Sequence, residues 1–172
     1  MKNLPENDYH ILKLSDTFYL KYPNPPYKEI LKKRHRAYNC LLFQTHYDYF
    51  ICVPYRSEIH HKYAFLFKRT KRSQEHHSGL DYTKIIIAHK IEYIGNKEAI
   101  IDKDEYRETM RNLELIKAEA LCFVEDYIEH INGTRILAKE EFERRYHFST
   151  LKYFHKELGL HELPVNLDFK KK

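Results

Sequence analysis

The residues best suited to chemistry lie between two apolar stretches, in the sequence VPYRSEIHHKYAFLF at 53–67. Five of them fall within seven residues: Arg56, Ser57, His60, His61 and Lys62. Connections between strands ordinarily use Gly, Asn, Asp or Pro, because those residues adopt turn conformations at little cost. This connection instead holds a hydroxyl, two imidazoles and two cations, a mixture suited to proton transfer beside a phosphate.

Metal-free RNA cleavage requires this set of groups. The 2′-hydroxyl attacks the adjacent phosphate, so one group must accept its proton, another must protonate the leaving 5′-oxygen, and donors must stabilise the developing charge. A histidine pKa near 6.5 suits proton transfer, and the planar arginine fork can donate two hydrogen bonds to one phosphate. We therefore assign Arg56 and Ser57 to the phosphate, His61 to proton transfer with His60 as the alternative, and Lys62 to charge stabilisation.

Other chemistries fit the sequence less well. The histidines at 60–61 and 76–77 are adjacent pairs without a cysteine or paired acid in register, and neighbours on an extended chain point to opposite faces. With four glycines, the chain contains neither a phosphate-binding glycine loop nor a GxSxG serine elbow. We expect no metal and no cofactor.

The positive charge is concentrated in one segment. Residues 28–72 hold eleven Lys and Arg against three acids, a net of +8, whereas the whole chain carries +5. Such an imbalance is expected where one face binds phosphate, although a solvated basic surface is the alternative. The predicted RNA-binding residues are Lys33, Arg34, His60, Lys68, Arg69, Lys71 and Arg72.

The first half of the chain has the alternation typical of antiparallel strands. Strands are predicted at 9–15, 17–22, 38–44, 48–54, 62–68 and 81–90, with 89–95 continuing the last strand or pairing with it. Prolines at the start of 23–36 predict a turn leading into a short basic helix. Residues 68–79 lack periodicity and predict a long exposed loop.

The second half is predicted to be helical. Apolar residues recur in steps of three and four from Tyr106 to Ile131, which indicates one long helix from Asp102 that ends at Gly133 and has a possible break at Asn112. Shorter helices are predicted at 138–148 and 149–160, the latter beginning at Ser149 or Thr150 and ending at Gly159. Together the patterns predict a single α+β domain over 1–172, mainly β at 1–95, mainly helical at 102–160, and with a frayed tail at 165–172.

Composition also predicts the compartment. No apolar run approaches the roughly 18 residues of a membrane span, and MKNLPENDYH lacks the pattern of a signal peptide. Cys40, Cys52 and Cys122 lie in apolar runs without disulfide spacing, so we expect three core thiols in a reducing compartment. These features predict a cytoplasmic protein without a membrane partner.

Three longer segments carry a resemblance to a known family: KKRHRAYNCLLF (32–43), FICVPYRS (50–57) and GLDYTKIIIA (79–88). In this order they resemble the type III toxin–antitoxin endoribonucleases, the ToxN/AbiQ group and more closely its TenpN branch. The resemblance extends weakly over most of the chain, including INGTRILAKEEFERRYHFSTLKYF (131–154). It implies a compact, strongly twisted antiparallel sheet with helices packed around it, similar to the MazF-type toxins.

The resemblance also implies site residues. Ser57 corresponds to the family's serine after a strand ending in proline, and Arg36 to its basic residue before the first hairpin strand, with Lys33, Arg34 and His35 close in register. Where the ToxN branch has a threonine and a lysine, this chain has Arg56 and Ile59, so His61 or Lys62 must take the role of that lysine.

The family's biology would follow from the same resemblance. It implies a small antitoxin RNA with tandem repeats that fills the active-site groove and assembles with the toxin into a ring. The substrate would be cellular or phage mRNA, and the role phage defence by abortive infection. The alternatives are a non-catalytic RNA- or DNA-binding module on the 28–72 face, and a structural or protein-interaction domain.

Overall fold

The computed structural model describes residues 9–32, 39–45 and 47–161. Its strands are Tyr9–Leu14 (β1), Asn39–Gln44 (β2), Phe50–Arg56 (β3), Ala64–Leu66 (β4), Gly79–Asp81 (β5), Ile86–Ala88 (β6) and Ile94–Glu98 (β7). Its α-helices are Asp16–Lys21 (α1), Lys71–His76 (α2), Lys103–Arg111 (α3), Leu113–Asn132 (α4) and Lys139–Tyr146 (α5). Three 3₁₀ helices span Tyr82–Lys84, Ile91–Tyr93 and Thr150–Tyr153. The predicted α+β class is confirmed.

The described strands form one antiparallel sheet in the order β4-β5-β3-β2-β1-β7, with β6 also paired to β3. The β2–β3 hairpin pairs Leu41 with Val53 and Leu42 with Cys52, as its two apolar runs predict. On its other edge β3 pairs first with β6, at Phe50–Cys52, and then with β5, at Tyr55 and Arg56. The polar end of β3 therefore meets the end of β5.

The predicted strand at 81–90 is interrupted. Gly79–Asp81 and Ile86–Ala88 pair with β3 separately, and the 3₁₀ helix Tyr82–Lys84 lies between them. The Asp81 carboxylate accepts hydrogen bonds from the backbone N–H of Thr83 (2.9 Å) and from its hydroxyl (2.7 Å). Aspartate favours such local turns over continued pairing, which explains why the apolar pattern alone gave the wrong result.

Four further predictions in the first half are corrected. Residues 17–21 lie in α1, with Tyr22 as its C-cap, rather than in a strand, because the Ser15 hydroxyl caps the helix by accepting from Phe18 N–H at 3.3 Å. The predicted loop 68–79 contains α2, which Thr70 caps. Residues 91–98 form a 3₁₀ helix and then β7, which pairs with β1 rather than with the 81–90 segment. Residues 23–32 form turns instead of the expected helix, and 33–36 lie outside the described residues.

Helix boundaries in the second half follow the sequence closely. The break at Asn112 is confirmed, and α4 ends at Gly133, whose φ of 75° is left-handed. The segment 149–160 begins at the predicted cap, Ser149, but it forms a short 3₁₀ helix and turns instead of an α-helix. In the described ranges no helix is both long and apolar enough to cross a membrane.

The core lies between the sheet and the helices. Side chains of β2, β3 and β6 are buried together with the inner face of α4, which contributes Ile116, Ala120, Phe123 and Tyr127. Cys40 and Cys52 are buried as predicted, but a disulfide joins them across the β2–β3 hairpin, so the prediction of free thiols there is wrong. Cys122 is free but exposed, which corrects its predicted place in the core.

Candidate active site at the end of strand β3

A buried carboxylate, that of Asp81, joins two of the predicted site residues. Asp81 is 0% exposed, and its Oδ2 accepts a 2.7 Å hydrogen bond from the guanidinium of Arg56. The Nε2 atom of His61 lies 3.4 Å from its other oxygen, Oδ1. Arg56 and His61, expected together from their positions in sequence, are thus brought together in space by a third residue.

Strand pairing determines this arrangement. Arg56 is paired with Gly79, which places its side chain beside the end of β5. A Cβ at Gly79 would lie 2.1 Å from the carbonyl oxygen of Phe65, so only glycine allows β4 and β5 to approach this closely. After β3 the chain turns at Glu58, whose φ is 58°, and the buried Ile59 donates its N–H to His77 O at 3.2 Å. This anchored turn returns His61 to Asp81.

The site is electrostatically balanced around an ionised aspartate. Burial acts to raise the pKa of Asp81, but the contacts with His61, Thr83 and Arg56 outweigh it and hold the pKa below its usual value. Asp81 is therefore negative at neutral pH and orients the guanidinium of Arg56, which is 30% exposed. Because arginine has five N–H donors, Arg56 keeps donors for a phosphate while one nitrogen is bound to Asp81.

The two histidines occupy different environments. Both ring nitrogens of His61 are covered from solvent and lack a hydrogen-bond partner in the described part of the chain, although the side chain as a whole is 33% exposed. His60 is 66% exposed, with its Nε2 3.4 Å from a carboxylate oxygen of Glu58. The carboxylate beside His61 is buried, whereas the carboxylate beside His60 is exposed, as His60 itself is.

Ser57 and Lys62 complete the predicted group. Ser57 follows Arg56 at the end of β3 and is partly exposed. Lys62 is exposed, and its amine lies 5.5 Å from the centre of the Tyr63 ring. The other predicted cations of the site, Lys33, Arg34 and Arg36, lie outside the described residues.

Sequence reasoning missed two residues here, Asp81 and Lys84. Lys84 is 8% exposed, and its amine donates to the carbonyl of Phe148 at 2.6 Å. Burial lowers the pKa of Lys84, opposed by the charge of Asp81. Both residues belong to a stretch that looks like a strand, but the spacing Asp81-Tyr82-Thr83, typical of an Asp-capped turn, is a signal that would have indicated the break.

The basic segment 68–72 is docked onto the acidic face of α3. Glu108 accepts from the backbone N–H groups of Lys68 (2.8 Å) and Arg69 (3.0 Å), and Asp104 accepts from that of Lys71 (2.8 Å). The Arg72 guanidinium donates to Asp102 at 2.7 Å. Arg72 is therefore paired with a carboxylate, while Lys68, Arg69 and Lys71 are exposed.

A second histidine pair adjoins the site through Glu58. The Glu58 carboxylate lies 2.9 Å from His76 Nδ1, and the His60 and His77 rings are 5.3 Å apart. The hydrogen bond with His76 lowers the pKa of Glu58. Even so, within residues 9–32, 39–45 and 47–161 no three His, Cys, Asp or Glu side chains are arranged to hold a metal ion.

Comparisons with family models, curated proteins and solved structures gave no significant match to this chain.

Proposed function

We propose that the chain is a metal-independent endoribonuclease that cleaves RNA by in-line attack of the 2′-hydroxyl and leaves a 2′,3′-cyclic phosphate. One observation carries the proposal: the buried carboxylate of Asp81 holds Arg56 at 2.7 Å and lies 3.4 Å from His61. A cation for the phosphate and an imidazole for the proton thus share one anchor. Preorganised groups of this kind stabilise charge without having to reorient during the reaction.

Each group then has a role in the reaction. The 2′-oxygen forms a bond to phosphorus as its proton passes to His61, and the bond from phosphorus to the 5′-oxygen breaks. Arg56 and Ser57 donate to the non-bridging oxygens, with Lys62 and Arg36 adding positive charge. The leaving 5′-oxygen takes a proton from solvent, which reaches this exposed end of the sheet.

Asp81 also explains how His61 would work as a base. A carboxylate beside an imidazole fixes its orientation and stabilises the imidazolium that forms, as in the Ser-His-Asp triads. Both His61 nitrogens are covered, so RNA must displace the atoms over Nδ1 to reach it while Nε2 stays beside Asp81. His60, already exposed on the same turn, is the alternative base.

The biological setting that we propose comes from the family resemblance. The protein would be a cytoplasmic toxin of the type III group, silenced by a small antitoxin RNA with tandem repeats that assembles with it into a ring. Phage or cellular mRNA would be the substrate when that RNA is lost.

The decisive experiment measures cleavage of a mixed-sequence RNA by purified wild-type protein in EDTA, with analysis of the product ends. We expect cyclic phosphate ends, and no cleavage where the nucleotide 5′ to the cut carries 2′-deoxyribose. Removing one well-placed donor, in Ser57→Ala, should lower the rate on the order of a hundredfold while RNA binding persists. His61→Ala and His60→Ala, compared side by side, identify the base by which one abolishes cleavage while RNA binding persists.

Two results would contradict the proposal. Cleavage of the 2′-deoxy substrate, or activity that disappears in chelator, would rule out in-line attack without metal. If the wild type bound RNA tightly and did not cleave it, the chain would be the non-catalytic binding module. In a bacterial host, inducible wild type should arrest growth and Ser57→Ala should not.

A further inference from the structure

An aromatic ring lies next to the proposed catalytic group. Tyr63 follows His61 by two residues, and the two ring centres are 6.3 Å apart with an interplanar angle of 31°. At this distance and angle the two rings lie side by side and border one region. Tyr63 is half-buried, with its inner edge toward Phe123 (6.3 Å between ring centres).

Two cations flank the Tyr63 ring. The amine of Lys62 lies 5.5 Å from its centre, and the guanidinium carbon of Arg145 lies 5.9 Å away. Asp126 fixes Arg145 through a 2.7 Å ion pair, and the Arg145 side chain is only 15% exposed. Lys62, in contrast, is exposed and has no carboxylate partner in the described ranges, so its amine is available to an anion.

These contacts distinguish Lys62 from the cations near α3. There Arg72 is paired with Asp102 at 2.7 Å, and carboxylates of Glu108 and Asp104 lie against the backbone of the segment. A phosphate approaching Arg72 must compete with these acids, whereas one approaching Lys62 need not. The surface from Arg56 to Lys62 and Tyr63 therefore combines available positive charge with a partly exposed ring.

Resting on the proposed ribonuclease function, we propose that Tyr63 is the stacking platform for the base of a nucleotide next to the cleaved bond. Proteins that bind single-stranded nucleic acid stack bases on aromatic rings and bind the backbone with cations. The nucleobase replaces the Lys62 amine over the Tyr63 ring, and the amine then binds the adjoining phosphate. A single nucleotide can span the distance between the Tyr63 and His61 rings, so stacking positions the phosphate for cleavage.

The test measures binding without cleavage. Two fluorescent probes of twelve nucleotides are used, both with 2′-O-methyl groups that block the nucleophile: an oligoadenylate, and an abasic chain of the same length. Stacking is worth about 1–3 kcal/mol per base, so Tyr63→Leu should weaken oligoadenylate binding by roughly five- to a hundredfold. Binding of the abasic chain should not change, because it has no base to stack.

Matched variants separate stacking from other causes. Tyr63→Phe keeps the ring and should bind both probes as the wild type does. Tyr47→Leu removes an exposed tyrosine from the far end of β3 and should change neither affinity. Lys62→Ala should weaken both probes alike, whereas Lys90→Ala, which removes a lysine 5.8 Å from the Tyr93 ring, should weaken neither.

The proposal is overturned if Tyr63→Leu binds oligoadenylate normally, if it loses both probes equally, or if Tyr63→Phe behaves like Tyr63→Leu. It is also overturned if the wild type binds the two probes with equal affinity. If the wild type prefers oligoadenylate, loses that preference in Tyr63→Leu and cleaves no RNA, the stacking proposal stands and only the ribonuclease proposal is refuted.

Discussion

Asp81 is a charged group in the interior of the protein, and its neighbours make that position tolerable. An isolated buried carboxylate is strongly destabilising, but this one accepts two hydrogen bonds from Thr83 and one from Arg56. The same contacts hold Arg56 in a fixed orientation. Stability and the proposed chemistry therefore depend on one side chain.

The first prediction concerns the substitution Asp81→Asn. Asparagine keeps the shape but lacks the charge that orients Arg56 and His61, so we expect the cleavage rate to fall on the order of a hundredfold. Since Asp81 acts through other residues, kcat should fall much more than KM rises. Asp16→Asn, which alters an exposed aspartate at the start of α1, serves as the control and should cleave normally. A normal kcat in Asp81→Asn would show that the carboxylate has only a structural role.

The second prediction concerns stability as a function of pH. The pKa of an unfolded aspartate is about 3.9, and in the fold the pKa of Asp81 is lower. A carboxyl group whose folded pKa is lowered stabilises the fold above its unfolded pKa, and this stabilisation is lost as the pH falls through the folded pKa. The difference in free energy of unfolding between wild type and Asp81→Asn should therefore be constant from about pH 5 to 8 and shrink below about pH 4. Urea denaturation at each pH measures it, and a difference that grows on acidification would contradict the assignment.

At the scale of elements, the close approach of β4 to β5 positions the site. Asp81 follows Gly79 by two residues, so any shift of β5 away from β4 also moves the carboxylate. The backbone of β4 leaves no room for a side chain at Gly79, since the nearest atoms, Phe65 O and Leu66 Cα, would lie 2.1 and 3.0 Å from a Cβ.

The third prediction is that Gly79→Ala separates these strands. Overpacking against rigid backbone should lower the free energy of unfolding by about 3 kcal/mol and reduce cleavage along with it. Gly133→Ala is the matched control: its Cβ would meet no atom within 4 Å, so only the left-handed φ of 75° should cost about 1 kcal/mol. Equal losses of stability in the two variants would mean that crowding at Gly79 is relieved by a small local shift.

The sequence predicted elements best where apolar spacing is long or where a turn residue marks an end. The β2–β3 hairpin, the break at Asn112 and the stop at Gly133 were all predictable on those grounds. The sequence did not reveal α1, which Ser15 caps, or the 3₁₀ helix after β5, which Asp81 caps. Elements this short do not show a helical period. Arg56 and His61 could be grouped because they are close in sequence. Asp81 lies 25 residues after Arg56 and is brought to it by strand pairing, which no local sequence pattern reveals.

At the scale of the whole molecule, the distribution of charge differs from the distribution along the sequence. The segment 28–72 carries a net +8, yet four acids contact residues 68–72: Asp102, which caps α3, and Asp104, Glu105 and Glu108 within it. Folding thus offsets part of the basic surplus near α2, whereas the exposed Lys62 has no carboxylate partner in the described ranges.

The fourth prediction follows from that difference. Each phosphate contact on single-stranded RNA contributes about 0.7 to the slope of log affinity against log salt. Arg69 and Lys71 are exposed and predicted to bind RNA. If both contact it, replacing them with alanine should flatten the slope by about 1.4. Arg72→Ala, which removes a cation already paired with Asp102, should leave the slope unchanged. If Arg72→Ala instead flattened the slope by its own share of about 0.7, RNA would have to displace the Asp102 carboxylate from Arg72 on binding.

The pairing of Arg56 with Asp81 across 25 residues also determines when the candidate site of a newly made chain can first be complete. At about 5–20 residues per second, a ribosome needs roughly 1 to 5 s to pass from one partner to the other. Phe148, whose carbonyl binds the buried Lys84, follows about 3 to 13 s after Asp81. An emerging polypeptide therefore carries Arg56, Ser57 and His61 for several seconds before their anchor exists.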